Sequence, residues 1–466
     1  MKSFLNTYRP FYRRNLKLAL PVILSQVGQI TVQLADTAMV GNYGGDDATP
    51  LAAVSYATSI FFIIFIASMG VTFGLTPLVG EHYAKGNKAY ASQLLRNGFV
   101  LFALVGVITT ALLYAIRPLF RIMGSVMISS GSDASIGEVI DLALPYYDII
   151  IWSIFPIMIW GTIKQFLEGI GNTQIAMVTI IVSNLINIFL NWVLIFGHLG
   201  FEAMGAIGAG VATLVARVVQ CLIMVVYFLY TPKFREYTRE LFTRTRLSFR
   251  AMGDTLKVGT PIAFQMLMEA SAFALAGVLV LAFGAHSVSA YQIGTNMMNV
   301  TFMIVVAIGS ATTILTSHIY GRGNFLKLRH TVYAAYQLGL LWNVSVATLF
   351  ILFRNQIPML FTSNEQTIQL TATMLIFIAL FQVSDCLQAI SISILRGLQD
   401  VKVIMPIVFI SYIVFNIPVG YLLAFECGLE SIGLIIGFIV GLSICAALTI
   451  RRVRRNINRL ERSGGN

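Results

Sequence analysis

The chain has 466 residues, 57% of them hydrophobic and 11% charged, with a formal net charge of +11. A water-facing globular surface needs about 25% charged residues, so a large soluble domain is excluded. A nucleic-acid partner is not expected either, because no basic groove with aromatic platforms in a soluble module is visible.

Apolar runs follow one another along the chain, and roughly 20 residues cross a hydrocarbon core. The first half reads as spans at Leu16–Val40, Leu51–Val79, Leu94–Ile116, Ile140–Gly161, Gln174–Gly197 and Ala203–Tyr230. Asp141 and Pro145 complicate the fourth. The second half reads as Leu256–Phe283, Val288–Ser317, Thr331–Phe353, Ile368–Leu395, Val401–Phe425 and Ser431–Ile450. The expected fold is an all-α polytopic membrane protein, about twelve transmembrane helices in two pseudo-symmetric six-helix bundles. Residues 1–230 form the first bundle, 231–255 a basic connector, 256–450 the second bundle and 451–466 a basic tail.

Charge placement orients these spans. An even number puts Lys2, Arg9, Arg13, Arg14 and Lys17 on one side with Arg451, Arg452, Arg454, Arg455, Arg459 and Arg462. The connector adds Lys233, Arg235, Arg239, Arg244, Arg246, Arg250 and Lys257 to that side. Alternate loops carry Arg117, Arg121 and Arg354 among the acids Asp46, Asp47, Glu202, Glu365, Glu426 and Glu430. Lys and Arg mark the cytoplasmic face, so both termini are expected inside. The first span is expected to be retained, because no cleavable signal pattern precedes it. Cys221, Cys386, Cys427 and Cys445 have neither CxxC nor Cys/His metal spacing.

The halves repeat one another. Leu16-Lys17-Leu18-Ala19-Leu20-Pro21 answers Leu256-Lys257-Val258-Gly259-Thr260-Pro261. Tyr83-Ala84-Lys85-Gly86-Asn87 answers Tyr320-Gly321-Arg322-Gly323-Asn324, and Glu168-Gly169-Ile170 answers Arg396-Gly397-Leu398. Six spans per half give parallel repeats, for which substrate sites lie between the halves near mid-membrane.

Deep in the spans lie Asp36, Glu269, Asp385 and Arg217. A charge in hydrocarbon is costly, so such groups face a cavity or a partner. Gln26, Gln29, Gln33 and Asp36 form one helical stripe; Gln382, Asp385 and Gln388 form another. Gln265 precedes Glu269 by one turn. Asn184, Asn187 and Asn191 share a face, as do Gln292, Asn296 and Asn299. An isolated Asn or Gln reads as glue between helices. The carboxylate stripes read as a water-filled cavity for cations, with Gln33, Gln265, Gln292, Asn296 and Gln388 as polar lining. Arg217 reads as a structural group that snorkels or pairs with a carboxylate. Glu269 lies about 20 Å and Asp385 about 15 Å from the same membrane face at 1.5 Å per residue, so they meet if their helices are neighbours. The position repeated from Asp36 falls between Phe273 and Ala276, where there is no acid. The two halves are therefore expected to hold different sites.

These residues resemble the multidrug and toxic compound extrusion transporters, specifically their NorM-like branch. The resemblance is carried by Pro21–Gln33 leading into Asp36-Thr37-Ala38-Met39-Val40-Gly41, by Leu51-Ala52-Ala53-Val54-Ser55 and by Pro77-Leu78-Val79 through Gly86-Asn87. Pro261 through Glu269, then Ser384-Asp385 and Leu395-Arg396-Gly397, complete it. It implies a V-shaped pair of bundles alternating between outward-open and inward-open forms in a bacterial inner membrane, coupled to Na⁺ or H⁺ influx. It also implies cation roles for Asp36, Asn187 and Asn191 in one lobe and for Glu269 and Asp385 in the other, the latter pair a possible Na⁺ site. Phe381 departs from the pattern, standing where some NorM-like members have a tyrosine.

The expected function is thus a cation-coupled antiporter that exports amphipathic organic cations, embedded in lipid and working as a monomer without a cofactor. The alternative is a flippase of lipid-linked saccharides, which needs several basic residues in its cavity to meet pyrophosphate. An enzyme is not expected. His82, His198, His286, His318 and His330 sit near span ends or in loops, and no nucleotide loop or HExxH motif occurs.

Overall fold

The computed structural model describes residues 2–44, 49–129, 135–242 and 247–463. Asp46, Asp47, Arg244 and Arg246 lie outside them. Among the described residues the chain is helical, with no strand.

The membrane-length helices are α1 (Lys2–Gly44), α2 (Thr49–Ala84), α3 (Lys88–Ser129), α4 (Gly137–Gly169), α5 (Gln174–Phe196) and α6 (Gly205–Tyr230). The second half has α7 (Phe249–Leu279), α8 (Gly284–Gly321), α9 (Phe325–Leu352), α10 (Glu365–Gly397), α11 (Ile404–Glu426) and α12 (Glu430–Ser463). By length and hydropathy alone there are 11 such helices, because Phe249–Gly321 runs unbroken for 73 residues. A single helix that long would extend about 110 Å, several bilayers. A 3₁₀ turn at Val280–Phe283 and a left-handed Gly284, φ 86°, fold it into two antiparallel spans, which restores the expected twelve.

Helix ends explain where the sequence boundaries moved. The second half begins seven residues earlier than its apolar run, at Phe249, because Ser248 caps it: the Ser248 hydroxyl accepts from the Ala251 N–H at 3.3 Å. Asn324 and Asn364 cap α9 and α10 in the same way. At its other end α12 continues through the basic tail to Ser463. Apolar runs report the hydrocarbon thickness, whereas caps report where the helix starts. The fourth span survives Asp141 and Pro145 and breaks instead at Ser153. Helix α11 opens into π turns at Ile410–Asn416 and Leu422–Glu426.

Within the first half α5 packs on α1 and α6, and α2 and α6 pack on α4; within the second, α10 sits against α8, α9 and α12. The halves meet through α1 with α8 and α2 with α7, a two-fold pairing, and α8 also meets the last turns of α2. The α2–α7 crossing brings backbones together. A Cβ on Gly259 would lie 2.3 Å from the Val71 carbonyl oxygen, so only glycine fits there. Towards the end that carries both Lys2 and Ser463, Asn15 Nδ2 donates to Thr312 Oγ1 at 2.9 Å. The Tyr12 hydroxyl donates to Gln337 at 2.5 Å, and the His318 ring nitrogen meets the Gly169 carbonyl at 2.6 Å. Nearer the opposite end the same helices turn to their own bundles. Tyr43 of α1 packs beside Gly205 and Phe196, and Gly294 of α8 packs against Ile378. The halves are therefore sealed at the end bearing the termini.

Candidate functional site

Each half holds its own acid within a span, Asp36 half-buried in the first and Glu269 with buried Asp385 in the second. In the first, Pro21 lies within α1, with the Ser25 hydroxyl donating to its carbonyl at 2.9 Å. Four turns on, Asp36 Oδ1 accepts from Asn191 Nδ2 of α5. The same nitrogen donates to Asn187 Oδ1 at 3.2 Å, and Asn187 in turn faces Thr213 Oγ1 of α6 at 3.5 Å. Asp36, Asn187 and Asn191 thus form one chain across three helices. Asn191 Oδ1 is buried without a protein partner.

Arg217 stands near this chain and does not snorkel. Its guanidinium lies 5.7 Å from the Phe61 ring and 5.6 Å from the Phe65 ring, and donates to Ser153 Oγ at 2.5 Å. Ser153 is the residue at the break in α4, which turns its hydroxyl towards α6. Cation–π contact of a desolvated guanidinium contributes about 2 kcal/mol, which offsets part of its burial. Arg217 and Asp36 also feel one another electrostatically. The first-half site is therefore an acid balanced at a distance by a base on an aromatic shelf.

The second-half site is tighter. Glu269 Oε1 accepts from Gln265 Nε2 at 3.0 Å and from Gln388 Nε2 of α10 at 2.7 Å. The Tyr412 hydroxyl of α11 lies close enough for it and Glu269 to act on one another. Asp385, one turn from Gln388, is 5% exposed and close enough for its charge to act on Glu269. The two acids thus lie near one another on α7 and α10, as their depths allowed. Gln382 Nε2 turns away to Thr301 Oγ1 at 2.6 Å, leaving its Oε1 buried and unpartnered.

Two groups near Glu269 are not among the candidates read from the sequence. Tyr412 brings a hydroxyl to the neighbourhood of Glu269. Phe381 itself is buried edge-on to Phe438, 6.5 Å between centroids. Tyr412, in an apolar run, gave no stripe to notice, because the π turn around it breaks the 3.6-residue period. Arg396 is the second. It ends α10, one residue beyond the span read from hydropathy, yet its Nη2 reaches back to Gln265 Oε1 at 2.7 Å. The count of one deep base, Arg217, is corrected to two by this reach. Arg396-Gly397-Leu398 is legible as part of the repeat, but not as a group that reaches inward.

The other expected lining residues differ in exposure. Gln33 is exposed on α1, and Gln292 and Asn296 are exposed along one face of α8. None of these three is among the hydrogen-bond donors to Glu269 described above. Gln265 and Gln388 are buried in the cluster.

Twelve helices in two repeated halves, with a carboxylate site in each and a seal at one end, define a two-lobed polytopic membrane protein. The MatE family model matches residues 21–193 and 261–422, once in each half and beginning at the equivalent prolines. The chain belongs to the MatE family. It is 30% identical over 455 residues to the multidrug resistance protein NorM of Photobacterium profundum, covering 97% of this chain and 96% of that protein. It is 29% identical over 461 residues to a probable multidrug resistance protein NorM of Rhizobium meliloti, covering 98% and 96%. The fold matches that of a MOP superfamily transporter from Pyrococcus furiosus with a TM-score of 0.85 at 23% identity, covering 97% of each chain.

Proposed function

We propose that this protein is a multidrug efflux antiporter that couples inward flow of Na⁺ to export of amphipathic organic cations. The observation that carries the reading is the separation of two carboxylate sites, one in each of two halves that meet at the end bearing the termini. One site can hold cargo while the other holds the coupling ion. Asp36 has one close donor and is half-buried, which leaves room for a bulky organic cation. Glu269 and Asp385 with the Tyr412 hydroxyl present hard oxygens, which suits Na⁺; H⁺ is the second candidate. By the positive-inside rule the sealed end is cytoplasmic, so the cleft faces outward across a bacterial inner membrane with both termini inside. Lipid is its solvent and a single chain contains both sites, so a monomer suffices. A flippase of pyrophosphate-linked sugars is not favoured, because Arg217 and Arg396 are already engaged by Ser153, aromatic rings and Gln265.

The test reconstitutes the protein in vesicles loaded with ethidium, clamps the membrane potential and imposes Na⁺ and pH gradients separately. Export accelerated by Na⁺ alone is expected. Acceleration by a pH gradient without Na⁺ would replace Na⁺ by H⁺, and no response to either would refute antiport.

A further inference from the structure

Helix α10 ends in a turn that touches both the second-half site and the seal between the halves. Gln399 adopts a left-handed backbone conformation, φ 59°, which non-glycine residues take rarely and at a cost. Its N–H donates to the Arg396 carbonyl at 3.0 Å, and the Asp400 N–H donates to the Leu395 carbonyl at 2.9 Å. From α12, Arg452 Nε and Asn456 Nδ2 hold the Asp400 carboxylate at 2.6 and 2.7 Å. The turn is thus fixed from behind. Its side chain crosses to the first half: Gln399 Nε2 donates to Glu81 Oε2 at 2.5 Å, where Glu81 is 8% exposed and bonded on its other oxygen by Lys85. From the same turn Arg396 reaches up to Gln265, and Gln265 to Glu269.

The chemistry of the middle link makes this path directional. A guanidinium only donates, so Arg396 fixes the Gln265 amide with its carbonyl towards Arg396 and its NH₂ towards Glu269. That orientation suits an empty carboxylate. A cation bound at Glu269 prefers the amide oxygen, and a protonated Glu269 also needs an acceptor for its O–H. Either ion therefore favours the same amide flip, which would set the Gln265 NH₂ against the Arg396 donors and drive Arg396 away. We propose that Arg396 is a positioning residue that converts cation occupancy of Glu269 into release of the Gln399–Glu81 contact, opening the sealed end. This rests on the reading that Glu269 takes the coupling ion. The ionisable groups facing the path are Glu269 and Asp385 above Arg396, with Tyr412 and Cys445 beside Glu269, Lys85 and His82 beside Glu81, and Arg452 on Asp400.

The experiment measures the separation of the halves at the sealed end by electron–electron double resonance. Spin labels go at the exposed positions Ala89 and Leu326, in full-length protein whose four native cysteines are replaced. Na⁺ and, separately, pH are titrated without cargo. The wild-type ratio of separated to sealed populations is expected to rise about fivefold or more with the coupling ion, the usual size of such linkage. Arg396→Lys still only donates and should keep that rise. Arg396→Gln accepts either amide orientation, and its rise should fall below about twofold. Gln399→Ala should be separated at every ion concentration, which tests the path independently of any folding defect at Arg396. A full response in Arg396→Gln, a flat response in Arg396→Lys, or a fully retained response in Gln399→Ala would each overturn the proposal while leaving coupled transport standing. A wild type that responds to neither ion would overturn both.

Discussion

The two acid sites occupy matching scaffolds but share no acid position. In the register of Pro21 with Pro261, Asp36 corresponds to Ala276 and Glu269 to Gln29. In the register of Gly169 with Gly397, Asp385 corresponds to Ile157 and Arg396 to Glu168. The first-half acid takes its close hydrogen bond from Asn191 on α5 and feels its base, Arg217, across the site. The second-half acid takes donors from α7 and α10, lies near Tyr412 of α11, and its base acts through Gln265. Duplication preserved the frame, including the paired prolines and Gly169 with Gly397. The chemistry was then free to diverge, because a buried acid needs only local partners. A loosely held acid suits a large, variable ligand, whereas a clamped pair suits a small ion of defined geometry.

Substitutions that keep shape but remove charge sharpen this contrast most. Glu269→Gln should lower ion-driven ethidium export about 50-fold in vesicles, the scale of a lost hydrogen-bonded charge, with protein abundance unchanged. Asp36→Asn should weaken ethidium binding about tenfold, since a buried charge is lost opposite a cationic ligand, and cells expressing it should lose dye resistance. If both variants impaired only cargo binding, the division between the sites would be wrong. Tyr412→Phe removes a neutral hydroxyl and should raise the ion concentration for half-maximal export about fivefold, with little change in ethidium affinity. The smallest effect is expected on the exposed α8 face. Gln292→Ala with Asn296→Ala should alter export within about twofold, since exposed amides on membrane helices contribute little. A larger loss would move the cargo path onto α8.

Much of this frame was legible in the sequence. Apolar length located the spans, Lys and Arg asymmetry ordered the loops, and in-register motifs exposed the repeat. The acids stood out because an ionisable group within twenty apolar residues has few innocuous explanations. The depth estimate for Glu269 and Asp385 put them at one level and left it to helix packing whether they meet. What sequence periodicity did not carry was the contribution of irregular backbone. Tyr412 acts on Glu269 from a π segment, Ser153 meets Arg217 from a helix break, and Gln399 crosses to Glu81 from a left-handed turn. Arg396 was hidden differently, since a long side chain at a helix end reaches farther than its Cα position implies.

The division of labour between the halves is tested most directly by ethidium affinity of purified protein over a range of Na⁺ concentrations and pH. Wild type, Asp36→Asn and Glu269→Gln are compared. If the second half holds the coupling ion, affinity in the wild type falls as that ion is added, and by linkage the reverse also holds. Asp36→Asn should bind more weakly yet keep this dependence, whereas Glu269→Gln should keep its affinity and lose the dependence. Ion dependence that vanished in Asp36→Asn and persisted in Glu269→Gln would contradict the account.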